Sequence, residues 1–509
     1  MNFEIDFNKY YNATLENKKY LLIYFLLVAV LTLSIASLDN YLHPVMEGSI
    51  FILTVILGSF SIIYYSLHQC ELHKVAFVVI ICFGLLCAFL TPIGLVPDEQ
   101  EHFIRSELTS TGVLVPEPQF VNGTFVGFNT IKGAVDLAND YGNTVFTSSI
   151  DNVKIDYSNV IYSSVFMQNP FFGYLAQGIG ILLAKLLDLN TIWMLWLGRI
   201  ANLILYAFLI SRAVKKAPIY KIPLMVMACL PLAIFQAASL SIDVMINGLA
   251  FLVIGYFLFM YKSKDNSLEL KDLAIFSLLA LLCGLCKLPY LALIFLLFLI
   301  PKDNFKTPFY YNIISFLIVA VLGILWAKFY ATPNYMLSYR ANYFIEHNVS
   351  MSGQINYLAG HLPQAFVTFA NAFDYIGIVL FGMFSFSFPP FVYESNLFRL
   401  LGLLFVGSVV FLYPNKNELS NKLRIGLLLV VLIVFFGTFT IQLLNWSSVG
   451  ILYGVDIQSR YFIPLLGLLP LIFGFNKSVD DEEKVNKIIM LISIVLLSAL
   501  VILTVCRWY

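Results

Sequence analysis

The chain has 509 residues, a formal net charge of zero, 60% hydrophobic residues and 12% charged residues. A soluble globular domain carries about a quarter charged residues, so this chain has too little polar surface to be wetted on all sides. The balanced charge also gives no footing for a nucleic-acid partner or a strongly charged soluble one.

Apolar runs near twenty residues recur along the sequence. Each can cross a hydrocarbon core about 30 Å thick, and each must be helical, because lipid offers no partner to a free peptide group. Barrel strands would show short alternating stretches instead. Residues 1–16 are polar and carry no cleavable leader, since the first apolar run, 20–38, is too long for a signal-peptide core. Runs 49–66 and 75–95 follow, then a long polar segment, 96–167.

Lys and Arg near span ends mark the cytoplasmic side. Lys9, Lys18 and Lys19 place the amino terminus inside, residues 39–47 lack both cations and fit outside, and Lys74 fits inside. Segment 96–190 is therefore external. If 170–187 and 191–210 both crossed, Arg212, Lys215, Lys216 and Lys221 would lie outside. The charge pattern is kept if 169–187 lies along the external interface as an amphipathic or half-inserted helix. Lys262, Lys264 and Lys271 then fall inside, as do Lys302 with Lys306, Lys416 with Lys422 and Arg424, and Lys477 with Lys484 and Lys487. Residues 331–396 become a second external loop, with 373–388 interfacial. The expected chain is an all-α polytopic membrane protein with about thirteen transmembrane helices and two large external loops carrying juxtamembrane helices. Its divisions are a tail with an added hairpin (1–74), a catalytic membrane domain (75–475) and a final loop and helix (476–509). The runs 273–286 and 290–300 are short for a full crossing and read as one bent element with Lys287 and Pro289 at its apex.

Ionisable residues inside or beside apolar spans are expensive and mark function. In this topology they gather on the external face: Asp98, Glu99, Glu101, His102 and Arg105 where the third span ends, Asp243 and Asn247 at one hairpin tip, Lys287 at another, and Asp456, Gln458, Arg460 and Tyr461 before the twelfth span. Asp98 leaves an apolar helix end, where partial desolvation suits a carboxylate to general-base work; helix capping by Asp98 or Glu99 is the structural alternative. Glu101 and Arg105 are spaced to pair on a helix surface. Arg460 and Lys287 suit an anionic ligand, against an interfacial anchor for Arg460 and a cap for Asp243. Acids beside cations at the outer leaflet fit a substrate with a phosphate head and a greasy tail. Cys283 and Cys286 form C-x-x-C inside a span and read as small packing residues. The N-x-S/T triplets at Asn12, Asn122, Asn348 and Asn445 occur at chance frequency.

Several of these stretches also resemble a known family. Pro97-Asp98-Glu99-x-x-His102-Phe103 with Arg105 is similar to the P-D-E-x-x-H-F signature of the bacterial domain-of-unknown-function 2142 family. Residues 169–180, Arg199 to Asn202, Phe235 to Asp243 with Asn247, Lys287 to Tyr290, and Gln458 to Pro464 resemble its later segments in order. The resemblance implies a GT-C-like arrangement, that of polytopic glycosyltransferases such as protein mannosyltransferases and aminoarabinose transferases. It further implies a polyprenyl-phosphate sugar donor, an external active site, Asp98 as base, and Glu99 assisting or binding a metal. His102, Arg105, Asp243, Asn247, Lys287, Gln458, Arg460 and Tyr461 would hold phosphate or sugar. No cofactor is assigned; a divalent cation, magnesium or manganese, at Asp98 and Glu99 is allowed. Two departures stand out: three spans precede the acidic motif, and Ser459 replaces the usual glycine before Arg460.

The expected function is a glycosyltransferase of the bacterial plasma membrane that modifies a cell-surface glycan, teichoic acid or glycolipid. A polymerase or ligase of lipid-linked oligosaccharides, and a flippase for lipid-linked sugars, are the alternatives.

Overall fold

A backbone in hydrocarbon must satisfy its own donors and acceptors, and the apolar runs do so as helices. The computed structural model describes residues 7–35, 43–336, 340–386, 396–414, 419–475 and 480–509. Within them, the helical runs long and apolar enough to cross a membrane are Lys18–Ile35, Pro44–Leu67, Gln69–Leu90, Ile192–Lys216, Asp243–Tyr261, Tyr310–Tyr335, Leu362–Gly382, Asn421–Trp446 and Glu482–Trp508. All but Leu362–Gly382 fall on expected crossings. That run was expected to be interfacial only from residue 373. Its helices Leu362–Asn371 and Asp374–Gly382 instead follow each other with a short break, so the apolar length begins earlier than charge placement indicates. Lys416 and Lys477, residues 36–42 and residues 387–388 lie outside the described residues.

The other crossings that the charge pattern requires are short or broken. Lys221–Ala228 and Pro231–Ala237 are separated where Leu230 turns extended before Pro231, as the residue preceding a proline is pushed to do. Leu270–Cys286 ends at Lys287 and is followed at once by a 3₁₀ helix, Leu288–Leu299, the expected bent element with Lys287 at its apex. Ser459–Gly467 is also 3₁₀, with Pro464 inside it. A 3₁₀ helix rises about 2.0 Å per residue, so twelve residues reach about 24 Å, against about 18 Å in an α-helix. Tight winding lets a short segment cover most of the apolar layer.

Helix Ile192–Lys216 is the centre of the bundle and packs on Leu72–Leu90, Asp243–Tyr261 and Leu175–Leu186. Small residues permit the close approach, as is usual between helices in lipid. A Cβ on Gly180 would lie 2.1 Å from the Leu197 carbonyl oxygen, and one on Gly255 would lie 2.4 Å from that of Ala213. Gly180→Ala must push two backbones apart, and is expected to cost about 1–3 kcal/mol, read as a lowered Tm in detergent; an unchanged Tm would refute this packing.

Leu175–Leu186 has twelve residues, about 18 Å of helix, and follows directly on a 3₁₀ turn, Phe171–Tyr174. Leu175, Ile179, Leu182, Leu183 and Leu186 are exposed along one stripe, while Gln177, Gly178, Gly180, Ile181 and Ala184 are buried. The helix is amphipathic, as expected of the segment that the charge pattern lays along the interface. Lys185 fastens it to the polar segment, with its ammonium 2.6 Å from Glu107 and 2.9 Å from the Ser110 hydroxyl.

The polar segment is not all helical. Strands β1 (Pro118–Val121), β2 (Thr124–Ile131) and β3 (Asn159–Tyr162) form an antiparallel sheet in that order. Asn122 (φ 50°) and Gly123 (φ 79°) make the two-residue turn between β1 and β2, the Asn-Gly pair that hairpins favour. At the other extreme of the chain, the Tyr24 hydroxyl meets Ser498 at 2.8 Å and the Thr54 carbonyl at 3.2 Å. The first two long helices are thereby tied to the last one.

Candidate active site

The chain leaves helix Leu72–Leu90 through an extended Thr91 and reaches Asp98 in the left-handed region, φ 64° and ψ 11°. Aspartate tolerates that region better than most residues, yet it is uncommon outside glycine. Helix Glu99–Ser110 starts immediately after, and the Asp98 side chain makes no capping hydrogen bond to it. The carboxylate goes instead to Arg460, whose Nη2 donates to Asp98 Oδ2. Backbone strain of this kind persists where the surroundings dictate it, and it concentrates at functional sites.

Arg460 sits at the start of the 3₁₀ helix Ser459–Gly467 and spends its fork on two acids. Nη1 donates to Asp243 Oδ2 at 2.8 Å and to the Pro97 carbonyl at 3.3 Å, and Nε donates to Gln458 Oε1 at 2.6 Å. Side-chain exposure separates the roles: 35% for Asp98, 8% for Asp243 and 5% for Arg460. Asp243 holds the guanidinium from a buried position, and Asp98 is the more exposed of its two acids. Lys287 lies over the Tyr461 ring, 3.1 Å from its centroid, and interacts electrostatically with Asp243, Asp98 and Arg460. The Tyr461 carbonyl accepts from the Tyr290 hydroxyl at 2.6 Å. Residues 98, 243, 287, 458, 460 and 461, far apart in sequence, thus share one end of the bundle.

Other expected members stand apart from this group. Glu99 is no partner to Asp98: Arg199 holds its two oxygens at 2.8 and 2.6 Å, and the Leu240 amide donates to one at 3.1 Å. Both side chains of that pair are buried, with 0% and 1% exposure. Arg199 also donates to the carbonyls of Ala88, Thr91 and Pro92. This is a structural lock between the exit of one helix and the middle of another, and it engages both oxygens of Glu99 away from Asp98. The acids that remain near Asp98 include Asp243, which shares Arg460 with it, and Asp456; among the described residues no group of three or more His, Cys, Asp or Glu is arranged for a metal. The Glu101–Arg105 pair does not form. Glu101 accepts from the Tyr162 hydroxyl at 3.0 Å and the Val165 amide at 3.3 Å; burial raises its pKa, and hydrogen bonds from Ser164, Tyr162 and Val165 oppose the shift. Arg105 is buried, donating to Thr109 Oγ1 at 2.7 Å and the Leu114 carbonyl at 3.0 Å beneath the Tyr174 ring. Asn247 is buried one turn below Asp243, and its Nδ2 has no hydrogen-bond partner among the described residues.

His102 is packed flat on Phe166, 4.1 Å between ring centroids, with Nδ1 2.8 Å from the Tyr174 hydroxyl. Burial lowers its pKa from 6.5 to about 4, against the pull of Asp98 and Asp243. An unfolded chain takes up this proton near pH 6.5 while the folded site refuses it until about 4. The associated stability is therefore present above pH 6.5 and falls as pH drops between these values, by up to about 3 kcal/mol. His102→Asn is expected to flatten Tm against pH across that window; an unaltered slope would show that His102 takes up its proton as readily folded as unfolded.

Two cavities flank the ionic cluster. A larger one, about 740 Å³, is lined by the polar side chains of Arg460, Gln458, Asp456 and Gln236 and by the apolar ones of Leu232, Phe235, Ile378 and Phe381, with Asp374 and Arg399 also on its surface. Burial raises the Asp456 pKa, with the Asp98 charge adding to it and Arg460 and Gln458 opposing. Both amide atoms of Gln236 are buried without a hydrogen-bond partner among the described residues. Sequence reasoning missed this glutamine as a site residue. A smaller cavity, about 220 Å³, opens beside Lys287 and is lined by Gln168, Asn169, Trp326, Gln442 and Asn445. An anionic group at Arg460 and Lys287 thus has a cavity on either side, each with polar side chains set among apolar ones.

The profile of a family described as "predicted membrane protein (DUF2142)" matches residues 81–469. The chain belongs to the DUF2142 family. The matched stretch contains Asp98, Asp243, Lys287 and Arg460 together with both cavities, and leaves out the first two long helices and the last. No curated protein and no solved structure matches the chain. Within DUF2142, then, the chemistry has to be argued from the residues themselves.

Proposed function

We propose that this protein is a membrane glycosyltransferase that moves a sugar from a polyprenyl-phosphate donor onto a cell-surface glycan, teichoic acid or glycolipid at the external face. The observation that carries the reading is the Asp98–Arg460–Asp243 cluster bordering a large cavity whose lining mixes charged and amide side chains with large apolar ones. On this reading the chain crosses a bacterial plasma membrane about thirteen times in a GT-C-like arrangement, amino terminus inside, with the cluster outside.

The donor lays its prenyl chain along Leu232, Phe235 and Phe381 and its phosphate against Arg460 and Lys287. The phosphate competes with Asp98 for Nη2, while Asp243 keeps the guanidinium in place. The released Asp98 carboxylate takes the proton of the acceptor hydroxyl as that oxygen attacks the anomeric carbon. The bond from the anomeric carbon to the phosphate oxygen breaks, the electron pair stays on the polyprenyl phosphate, and the two cations stabilise the charge that develops there. The amide-lined recess beside Lys287 receives the polar partner. No step calls on a cofactor.

The direct test offers the purified protein a panel of polyprenyl-phosphate sugars with candidate acceptors and measures release of the bare lipid phosphate. Release coupled to a new glycosidic bond supports transfer. Movement of the lipid-linked sugar across reconstituted vesicles with no new bond would replace the reading with a flippase. In a deletion strain, loss of side groups from the surface glycan fits a transferase, and loss of chain length a polymerase or ligase.

A further inference from the structure

At the other end of the bundle, the full length of helix Leu72–Leu90 from the Asp98 cluster, lies a cavity of about 270 Å³. It sits where Pro218–Ile222, the end of helix Asn396–Leu412 and the start of helix Glu482–Trp508 meet. We propose that this cavity binds a phosphate group, carried by an anionic phospholipid or free in solution.

Three observations converge. Helix Lys221–Ala228 begins at this cavity with no side chain capping it. Uncapped amides at a helix start, with the positive end of the helix dipole, form an anion seat. Tyr220, the residue before it, lines the same cavity, is about nine-tenths buried, and its hydroxyl has no hydrogen-bond partner among the described residues. A buried donor without an acceptor is costly, and a phosphate at the helix start is an acceptor within side-chain reach. Tyr220 also holds φ at 56°, rare for an aromatic residue, and that turn is what brings its ring and the helix start to one wall.

The charges favour an anion. Lys74, Lys215 and Lys221 all lie close enough to act on His73, and Arg424 acts on the Tyr220 hydroxyl. Lys74 is engaged by Glu71 at 2.6 Å, whereas Lys215 and Lys221 form no ion pair among the described residues. The opposing acid in the wall is Glu482; its neighbour Glu483 is paired with Lys487 at 2.7 Å. Basic recesses between membrane helices are recurrent seats for anionic headgroups.

The experiment uses the full-length protein in neutral detergent, titrated with phosphatidylglycerol, phosphatidylcholine or inorganic phosphate at constant ionic strength, and reads Tm. Phosphatidylglycerol is expected to raise Tm where phosphatidylcholine does not. Lys221→Gln should weaken that response about fivefold, and Tyr220→Phe, which keeps the ring, should weaken it too. An equal rise with inorganic phosphate identifies free phosphate as the ligand of the same seat. Arg460→Gln must leave the response intact, which separates this site from the Asp98 cluster. No rise with either anion, or a rise untouched by both Lys221→Gln and Tyr220→Phe, overturns the proposal.

Discussion

Arg199→Met, with Glu99 left in place, is expected to destabilise the protein by about 3–5 kcal/mol, because it strands a buried carboxylate without its partner. The loss should appear as a large fall in Tm and in the yield of folded protein. Glu99→Gln should cost less, since the amide keeps an acceptor for Arg199 and the guanidinium retains the carbonyls of Ala88, Thr91 and Pro92. The double variant Glu99→Gln/Arg199→Met should lose less than the two single losses combined, the signature of a coupled pair. Strict additivity would mean that the two side chains do not depend on each other.

Asp98→Asn is expected to lower transfer by a factor on the order of 10²–10⁴, the range for removal of a general base, with Tm almost unchanged. Asparagine tolerates the left-handed backbone that position 98 adopts, and Arg460 keeps its bond to Asp243. The comparison with Asp98→Gly is informative, because glycine relieves the backbone and removes the carboxylate together. Transfer should fall as far while Tm holds or rises. Full activity in Asp98→Asn, measured as release of the lipid phosphate, would reject Asp98 as base and with it the proposed mechanism.

Much of the architecture was legible from two simple signals. Apolar length found the long helices, and the amphipathic character of Leu175–Leu186 agrees with the reading that the cations at 212–221 required. Both signals fail where helix type changes, because neither composition nor charge distinguishes twelve residues wound as 3₁₀ from twelve wound as α. The small sheet had its own mark, Asn122-Gly123 between strand-forming residues, but in a chain this apolar the polar segment was read for charge and not for turns. At the site, Asp98, Asp243, Lys287 and Arg460 could be nominated because each interrupts or ends an apolar run. The same logic applied to Arg199, well inside the run from 191 to 210, would have asked which acid neutralises it; the answer is Glu99, which the resemblance had set beside Asp98. Gln236 carried no such mark, since an uncharged amide in an apolar run raises no alarm until its missing partners are seen.

Lys287 and Arg460 both stand at the head of a 3₁₀ segment, Leu288–Leu299 and Ser459–Gly467. Runs of this winding beyond three or four residues are uncommon, and each holds a reserve of length. Rewinding twelve residues to α geometry draws one end toward the other by about 6 Å. The winding of these segments therefore sets how far each cation stands from the far end of its own segment, so reach at the cluster depends on helix type as well as on residue count.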